Sequence, residues 1–599
     1  MSEIRVADYI ARRLAALGVD TCFLVTGGGA MHLNDAIGGT PGLRKIYCHQ
    51  EQGAAIAAEG YARIAGKPAL VNVTAGPGGI NALNGVFGAF TDSIPMVVVS
   101  GQVKRETLRS FQSVPGLRQL GDQEVAITEM ARPVTKWVGQ PRAPEDVPGM
   151  LEEAWAAAVG GRPGPAWLDV PIDIQGARIR ADPEAGGGAI RLPAEREPPD
   201  GAIGTVLDAL ALARRPVILA GTGVRIGGAI EAFREVVDLL GVPVTTAWTH
   251  DILDDAHPLY AGRPGTIGTR AGNFVVQHAD LVLVLGSRLN VRQVSYNWDS
   301  FARGARKIQV DVDPAELRKP FPRPDLAIVA HLAPFLAELA GEARARGWKP
   351  HHPRWVAWCR DIRARYTPRS DDYPVSATAI NPYHFIEGLF ERLAPGDLVA
   401  CGDATATIVP FQIGRMKPGM RLFSNSGCAS MGYDLPAALG AAVASPESRV
   451  ICLAGDGSVM MNIQELQTIR THRLPVKVFV LDNGGYLSIK QTQRNFFGRE
   501  SGTSPDCGLE FPDFRAVGAA FGLESIRLTR DGWRGEVEAF LARPGPGLCA
   551  VPLDQDQEFQ PRLKSRMVDG VIRTPELEDM FPFLERSELD AVRDSALTI

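Results

Sequence analysis

Val450-Ile451-Cys452-Leu453-Ala454-Gly455-Asp456-Gly457-Ser458 is a short apolar run that ends in a glycine turn carrying an aspartate. A run of this length without polar alternation reads as a strand buried on both faces, and Ser458 stands where a helix begins. Strand, glycine turn and helix form the repeating unit of a parallel sheet, whose ligands sit beyond the carboxyl ends of its strands. The unit recurs on either side. Downstream, a second apolar run leads into Val480-Leu481-Asp482-Asn483-Gly484-Gly485; upstream, Asp397-Leu398-Val399-Ala400-Cys401 leads into Gly402-Asp403-Ala404-Thr405-Ala406.

Asp456 and Asn483 together have the make-up of a magnesium-diphosphate clamp. Mg²⁺ wants near-octahedral oxygen ligands and takes few of them from side chains, so one carboxylate, one amide oxygen and a nearby carbonyl suffice. Glycines let the backbone approach phosphate oxygens, and the helix start offers its N–H groups and positive dipole end to an anion. An isolated Asp-Gly pair would be an ordinary turn. The order strand, GDGS, helix, strand, Asn favours the clamp.

The same alternation runs through most of the 599 residues, a length that calls for about three domains. Residues 1–182 carry apolar runs at Thr21-Cys22-Phe23-Leu24-Val25, Ala69-Leu70-Val71-Asn72-Val73, Pro95 to Ser100 and Pro165 to Pro171, with helices expected at Glu51–Ile64 and Gly79–Phe90. Ala181–Gly201 reads as a linker rich in glycine and proline. A second unit, 200–345, has strands at Pro216 to Ala220, Leu281 to Leu285 and Lys307 to Asp311. Trp348–Pro382 links it to a third unit, 385–555, and a charged tail, 556–599, is expected to drape over the surface or a neighbouring subunit. The expected fold class is α/β, with three doubly wound parallel-sheet domains. The first and third units share a layout, without a residue-level repeat.

Composition narrows the function. With 45% hydrophobic and 22% charged residues and a net charge of −5, the chain is that of a globular protein without the basic excess that nucleic acid or an anionic membrane requires. No apolar run approaches the roughly 20 residues that span a bilayer, and the N-terminal MSEIRVADYIARRLAALGV is an amphipathic helix without a signal peptide's apolar core. The 8 cysteines are scattered, with no CxxC and no zinc spacing, which fits a reduced cytoplasm.

Gly455-Asp456-Gly457-Ser458 with Asn483 resembles the signature of thiamine-diphosphate-dependent enzymes, and matches run through nearly the whole chain. The resemblance implies thiamine diphosphate held through Mg²⁺, with Asp456, Asn483 and the Gly485 carbonyl as metal ligands. It implies a pyrimidine-binding domain at 1–182, a middle domain at 200–345 and a diphosphate-binding domain at 385–555. Around the diphosphate it places Gly455, Gly457 and Ser458, the loop Ala404, Thr405 and Ala406, and Tyr486 and Leu487. Around the pyrimidine it places Gly28, Gly29, Pro77 and Asn81. Glu51, in Tyr47-Cys48-His49-Gln50-Glu51-Gln52-Gly53, matches the carboxyl that works at N1′ of the aminopyrimidine; burial would favour its protonated form. Outside that context it is a first-turn glutamate complementing a helix dipole. Met431 matches the apolar residue under the bent cofactor, and is otherwise core filler. Glu59 reads as structural.

Asp92-Ser93-Ile94-Pro95, Gly121-Asp122-Gln123-Glu124, Arg132-Pro133-Val134-Thr135-Lys136 and Asn462-Ile463-Gln464-Glu465-Leu466 resemble the acetohydroxyacid synthase branch. There Gln123 aligns with an amide that reaches the active site, and would otherwise be a solvated loop residue. Gly262 to Thr266, Gly286 to Arg292 and Asp311-Val312-Asp313-Pro314 are similar to that branch's flavin-binding segments, which implies FAD near Gly221, Gly223, Gly265, Arg288 and Asp311. Gly221-Thr222-Gly223 alone is a weak signal. Arg292 matches an arginine that meets the acceptor substrate, with a surface salt bridge as its plain alternative.

The chain departs from acetolactate synthesis at three places. Thr26-Gly27-Gly28-Gly29-Ala30 stands for Tyr-Pro-Gly-Gly-Ala, Thr405-Ala406 for Gln-His, and Gln491-Thr492-Gln493 replaces the region of a Trp that narrows the acceptor pocket. Smaller side chains enlarge a pocket. The blocks Thr26–Asp35, Gly116–Leu120, Tyr486–Ile489 and Pro575–Leu584 resemble the branch that includes CDP-4-aceto-3,6-dideoxygalactose synthase. The resulting expectation is a cytoplasmic carboligase that decarboxylates pyruvate and passes the acyl unit to a ketone, a nucleotide-linked keto-deoxysugar, working as a homodimer at least and as a homotetramer in the fuller form. Its rivals are acetolactate synthesis and a noncatalytic cofactor-binding paralogue.

Overall fold

A strand that is apolar along its whole length has to be covered on both faces, so the runs above require helices above and below each sheet. The computed structural model, which describes residues 3–184, 194–248 and 251–599, contains three sheets of five or six strands in which every pair is parallel. Helices flank each of them. The fold is α/β with three doubly wound domains. The central part of the expected linker, 185–193, lies outside the described residues.

In the first sheet the strands lie in the order Arg44–Tyr47, Thr21–Leu24, Ala69–Val73, Met96–Gln102, Pro165–Pro171, Trp137–Gly139. The third sheet runs Arg421–Phe423, Leu398–Cys401, Val450–Gly455, Val476–Asp482, Gly547–Pro552, Glu524–Arg527. Numbered by position in the chain, both read second, first, third, fourth, sixth, fifth. The likeness of the two units, invisible at the level of residues, is one of topology. The middle sheet is a five-stranded version: Val244–Thr246, Pro216–Ala220, Leu281–Leu285, Arg306–Asp311, Leu326–Val329.

The two six-stranded domains share one core. Helix Glu51–Ala65 and helix Asp434–Ala444, each following the second strand of its domain, pack face to face. Their backbones touch, because a Cβ on Gly440 would run into the Ala57 carbonyl oxygen. This close approach is why the facing surfaces are built from alanine and glycine.

Trp348–Pro382, read as a link, contains the helix Pro353–Tyr366, whose Trp355 and Trp358 are buried with Phe274 of the middle domain. The tail packs onto the same cluster through Leu577, Leu589, Val592 and Ala596 of its own chain. The sequence signal was weak because the tail's apolar residues are spaced singly along a charged helix, Arg586–Leu597. Its anchor is polar. Glu578 is fully buried and accepts hydrogen bonds from Arg303 at 3.0 Å, Arg593 at 3.2 Å and Gln277 at 2.8 Å. Glu578→Gln should weaken docking of the tail by about 2 kcal/mol, since both arginines stay partly hydrated when their partner is lost. Faster hydrogen exchange confined to residues 574–599 is the expected readout.

Candidate active site

In an open parallel sheet the ligand crevice forms where the strand order reverses, beyond the carboxyl ends of the strands. In the third domain that point lies between Leu398–Cys401 and Val450–Gly455, and the loops leaving these strands and Val476–Asp482 line a cavity of about 390 Å³. Its wall includes Ala404, Thr405, Met431, Gly455, Asp456, Gly457, Ser458, Asn483, Gly485, Tyr486 and Leu487. Ala406, the other member of the expected loop, is fully buried beneath it.

Asp456 is the centre of this wall. One carboxylate oxygen accepts the Gly457 N–H at 2.7 Å, and the other accepts those of Asn483 at 3.2 Å and Gly485 at 2.9 Å. Burial pushes its carboxyl up to about 7, against these amides, which favour the ionised form. Asn483 gives its side-chain N–H to Thr405 Oγ1 at 3.0 Å. Its Oδ1 is buried and has no hydrogen-bond partner among the described residues. A buried amide oxygen without a donor is costly, and beside a carboxylate it is the arrangement a cation relieves. Gly485 sits at φ 146°, a conformation only glycine takes easily, and a Cβ there would meet the Thr503 carbonyl. These residues fit Mg²⁺. Among the described residues no group of three or more His, Cys, Asp and Glu is arranged to hold a metal, so the remaining ligands would come from carbonyl, phosphate and water.

Two further features fit a diphosphate and a bent cofactor. Ala404 has φ 50° and ψ −118°, rarely adopted by an L-residue, and it turns the chain into helix Thr405–Ile413, whose N-terminus faces the cavity. The loop carrying Met431 is pinned from below. Gly432 donates its N–H to Ser458 Oγ at 2.8 Å, Ser458 donates to buried Asp434, and Asn462 donates to the Gly432 carbonyl at 2.7 Å. No local pattern announces these roles, which are contacts across the chain: Asn462 stands in the sequence only as the first residue of a block similar to the acetohydroxyacid synthase branch, and Asp434 in no motif.

The first domain gathers its own set at the equivalent strand ends. Glu51 opens the helix after Arg44–Tyr47, in the place that the Met431 loop occupies in the third domain. It is half-buried, and Asn81 donates to its Oε2 at 3.0 Å. Pro77 starts the helix that bears Asn81, Gly29 packs against Ala75, and the Gln123 main chain, at φ 65°, lies against Gly76. The Gln123 side chain is exposed. Thr74 Oγ1, beside Gly27 and Gly29, is buried without a partner among the described residues. None of Glu51, Gln123, Gly28, Gly29, Pro77 and Asn81 lines the cavity of the third domain.

The middle domain contributes Trp248, Ile267 and Arg292 to that cavity. Gly221 and Gly223 give their N–H groups to the carbonyls of Leu285 at 2.9 Å and Gly286 at 3.0 Å, so they serve a close approach of two strand ends. Asp311, at the end of the adjoining strand, is buried with its carboxyl pushed up to about 6, and Gly265 gives its N–H to Asn273 at 2.8 Å. Arg288 turns toward the first domain, 3.6 Å from Asp92, which also meets Arg63 at 2.7 Å; Arg63 pairs with fully buried Glu59. Glu59 thus belongs to an ion-pair chain that joins domains.

Known proteins agree with this layout. Residues 4–129 match the family described as thiamine pyrophosphate enzyme, N-terminal TPP binding domain, 203–339 its central domain, and 402–551 its C-terminal TPP binding domain. The chain is 33% identical to the acetolactate synthase isozyme 2 large subunit of Escherichia coli (strain K12), over 93% of this chain and 96% of that one. It is 32% identical to the probable chloroplastic acetolactate synthase 2 of Oryza sativa subsp. japonica, over 95% and 87%. It is 31% identical to the chloroplastic acetolactate synthase of Arabidopsis thaliana, over 93% and 83%.

Proposed function

From a chain that belongs to the thiamine pyrophosphate enzymes, and among them to the acetolactate synthase-like carboligases, we propose a specific reaction: decarboxylation of pyruvate and transfer of its acyl unit to a ketone bulkier than a second 2-oxo acid, a nucleotide-linked keto-deoxysugar. The observation that carries the cofactor half of the proposal is the unpartnered Asn483 Oδ1 beside buried Asp456, in a cavity that also holds Met431 and Arg292. The larger acceptor is supported by Thr492, Ile489 and Ser488 in the cavity wall, where acetolactate synthesis uses a tryptophan in this region. The second reading, acetolactate formation, is favoured by the names of the relatives.

When bound, thiamine diphosphate supplies an acidic carbon that adds to a 2-oxo acid, releases CO₂ and hands on the acyl unit. The chain's residues do the rest. Asp456, Asn483 and the Gly485 carbonyl would hold Mg²⁺ on the diphosphate, with the N-terminus of helix Thr405–Ile413 facing the same anion. Met431 would support the bend. Glu51 would hold a proton at N1′ of the aminopyrimidine, oriented by Asn81. Arg292, exposed beside the cavity, would meet the acceptor.

Within one chain the cavity takes no residue from the first domain, so Glu51 needs a cofactor held by another subunit. Helix Pro77–Asp92 supports this: Ile80 and Phe87, one helical face apart by two turns, are exposed, as are Met460 and Met461. A homodimer is the minimum in this reading, and a homotetramer pairs two of them. FAD would lie across the strand ends of the middle domain with Asp311 as acceptor for a ribose hydroxyl. A cytoplasmic setting fits eight free cysteines, and among the described residues no helix is long and apolar enough to cross a membrane.

The test supplies labelled pyruvate, thiamine diphosphate and Mg²⁺ with a panel of 2-oxo acids, small ketones and keto sugars, and identifies products by mass. A labelled acyl adduct of a keto sugar is expected. Acetolactate as the sole product would overturn the acceptor, and absence of CO₂ release would overturn the whole reading in favour of a noncatalytic paralogue.

A further inference from the structure

Among the residues lining the cavity, three side chains bear an ionisable carboxyl or guanidinium group: Arg292, Asp403 and Asp456. Asp456 is turned onto three backbone amides, which leaves the other two for whatever enters. Asp403 lies in the loop after strand Leu398–Cys401 and is half-buried; Arg292 is exposed. Neither side chain makes a hydrogen bond or an ion pair among the described residues, although Arg292 is near enough for its charge to favour the ionised Asp403. Burial pushes the Asp403 carboxyl up to about 6, so it is an anion at neutral pH. A charge kept inside a cavity without a partner in the protein is expensive, and its natural complement is a donor on the ligand.

We infer that Asp403 accepts a hydrogen bond from a hydroxyl of the acceptor, and that the acceptor class is therefore a hydroxylated ketone with no carboxylate beside its carbonyl, disfavouring a second 2-oxo acid. The inference rests on the carboligase reading above. Electrostatics gives both halves of the discrimination. A 2-oxo acid brings a carboxylate that gains from Arg292 but is repelled by Asp403. A ketone bearing hydroxyl groups escapes that repulsion and meets Asp403 with an O–H donor. A site built to bond a substrate hydroxyl disfavours the analogue that lacks it, because the half-buried acceptor is left without its donor. The pair also divides labour by depth, with the exposed cation outside and the half-buried anion within.

Two measurements test this on the holoenzyme. In the first, pyruvate is the donor, dihydroxyacetone and 2-oxobutanoate compete as acceptors, and the ratio of the two products is read by mass. Asp403→Asn should shift that ratio toward the 2-oxo acid by about 10- to 100-fold, the range of a lost hydrogen bond to a charged group. In the second, ligand-observed NMR without any 2-oxo acid follows binding of dihydroxyacetone and of butanone. The variant should weaken the first by the same factor and leave the second as it was, while Asp403→Glu restores part of the discrimination. An unchanged ratio, or equal loss for the ketone without hydroxyls, would overturn the role of Asp403 with the carboligase reading intact. Absence of CO₂ release by the unsubstituted protein would overturn that reading, and the NMR arm would still decide whether Asp403 binds a hydroxylated ketone.

Discussion

Asp456→Ala should lower kcat/KM for pyruvate by at least about 10³-fold and weaken binding of thiamine diphosphate in the presence of Mg²⁺ by about two orders of magnitude, measured by calorimetric titration. The carboxylate is the one charged ligand the clamp offers. Without it Asn483 Oδ1 and the Gly485 carbonyl are neutral, and a dication bridging to a diphosphate loses the charge that brings it there. Asn483→Ala should fall in the same direction by a smaller factor, since it removes a neutral oxygen and frees Thr405. The double variant should be little worse than Asp456→Ala alone, because the two residues act on one ion. Proton linkage gives an independent check. Burial holds the Asp456 carboxyl up at about 7 in the metal-free protein, so Mg²⁺ displaces a proton and its affinity should fall as pH drops below that value. The sign for stability is opposite. A carboxyl raised above its unfolded value near 3.9 makes the metal-free protein lose stability as pH rises from about 4 to about 7. Asp456→Asn should make that slope shallower by the share of one carboxyl, leaving the share of Asp169, Asp311, Asp403 and Asp434, which burial raises to about 6.

The turn that carries Asp456 was legible in the sequence because its parts are local. Gly455, Asp456 and Ser458 sit in one turn after one apolar run, and the strand–turn–helix order fixes which way they face. Glu51 and Met431 needed the family resemblance, since a glutamate at a helix start and a methionine in a loop have no pattern of their own. Their relation became plain only from topology, which places both after the second strand of matching sheets. Three things lay beyond the sequence. Asp434 and Asn462 reach the Met431 loop through contacts that depend on how loops meet. Asp403 was quoted as part of a loop, but its charge matters only because the fold puts it in a cavity with Arg292. The tail's docking hinges on Glu578, and an acidic residue in a charged segment reads as solvated until its two arginines arrive from Arg303 and Arg593. Local glycine turns and apolar runs announce the strands and the loops that leave them; long-range polar contacts fix how those loops meet.

Glu51→Gln should reduce kcat by about 10² to 10⁴-fold while leaving cofactor binding within a few-fold of the unsubstituted protein, because a general acid–base group is lost and the volume and the contact to Asn81 are kept. Unchanged turnover would remove Glu51 from the chemistry. The same variant can show where the cofactor sits. In one chain Glu51 is half-buried on the first domain and lines none of the cavity that holds Asp456, so each variant alone should be inactive for a different reason. If the cofactor bridges two subunits, a dimer of one Glu51→Gln chain and one Asp456→Ala chain has one site with both defects and one with neither. Random mixing of the two inactive proteins after dissociation should then restore about one quarter of full activity, half of the dimers being mixed and half of their sites intact. A site built within a single chain predicts no recovery at any mixing ratio. Recovery would therefore establish that the two matching domains, joined in each chain through helices Glu51–Ala65 and Asp434–Ala444, work on the cofactor only across a subunit boundary.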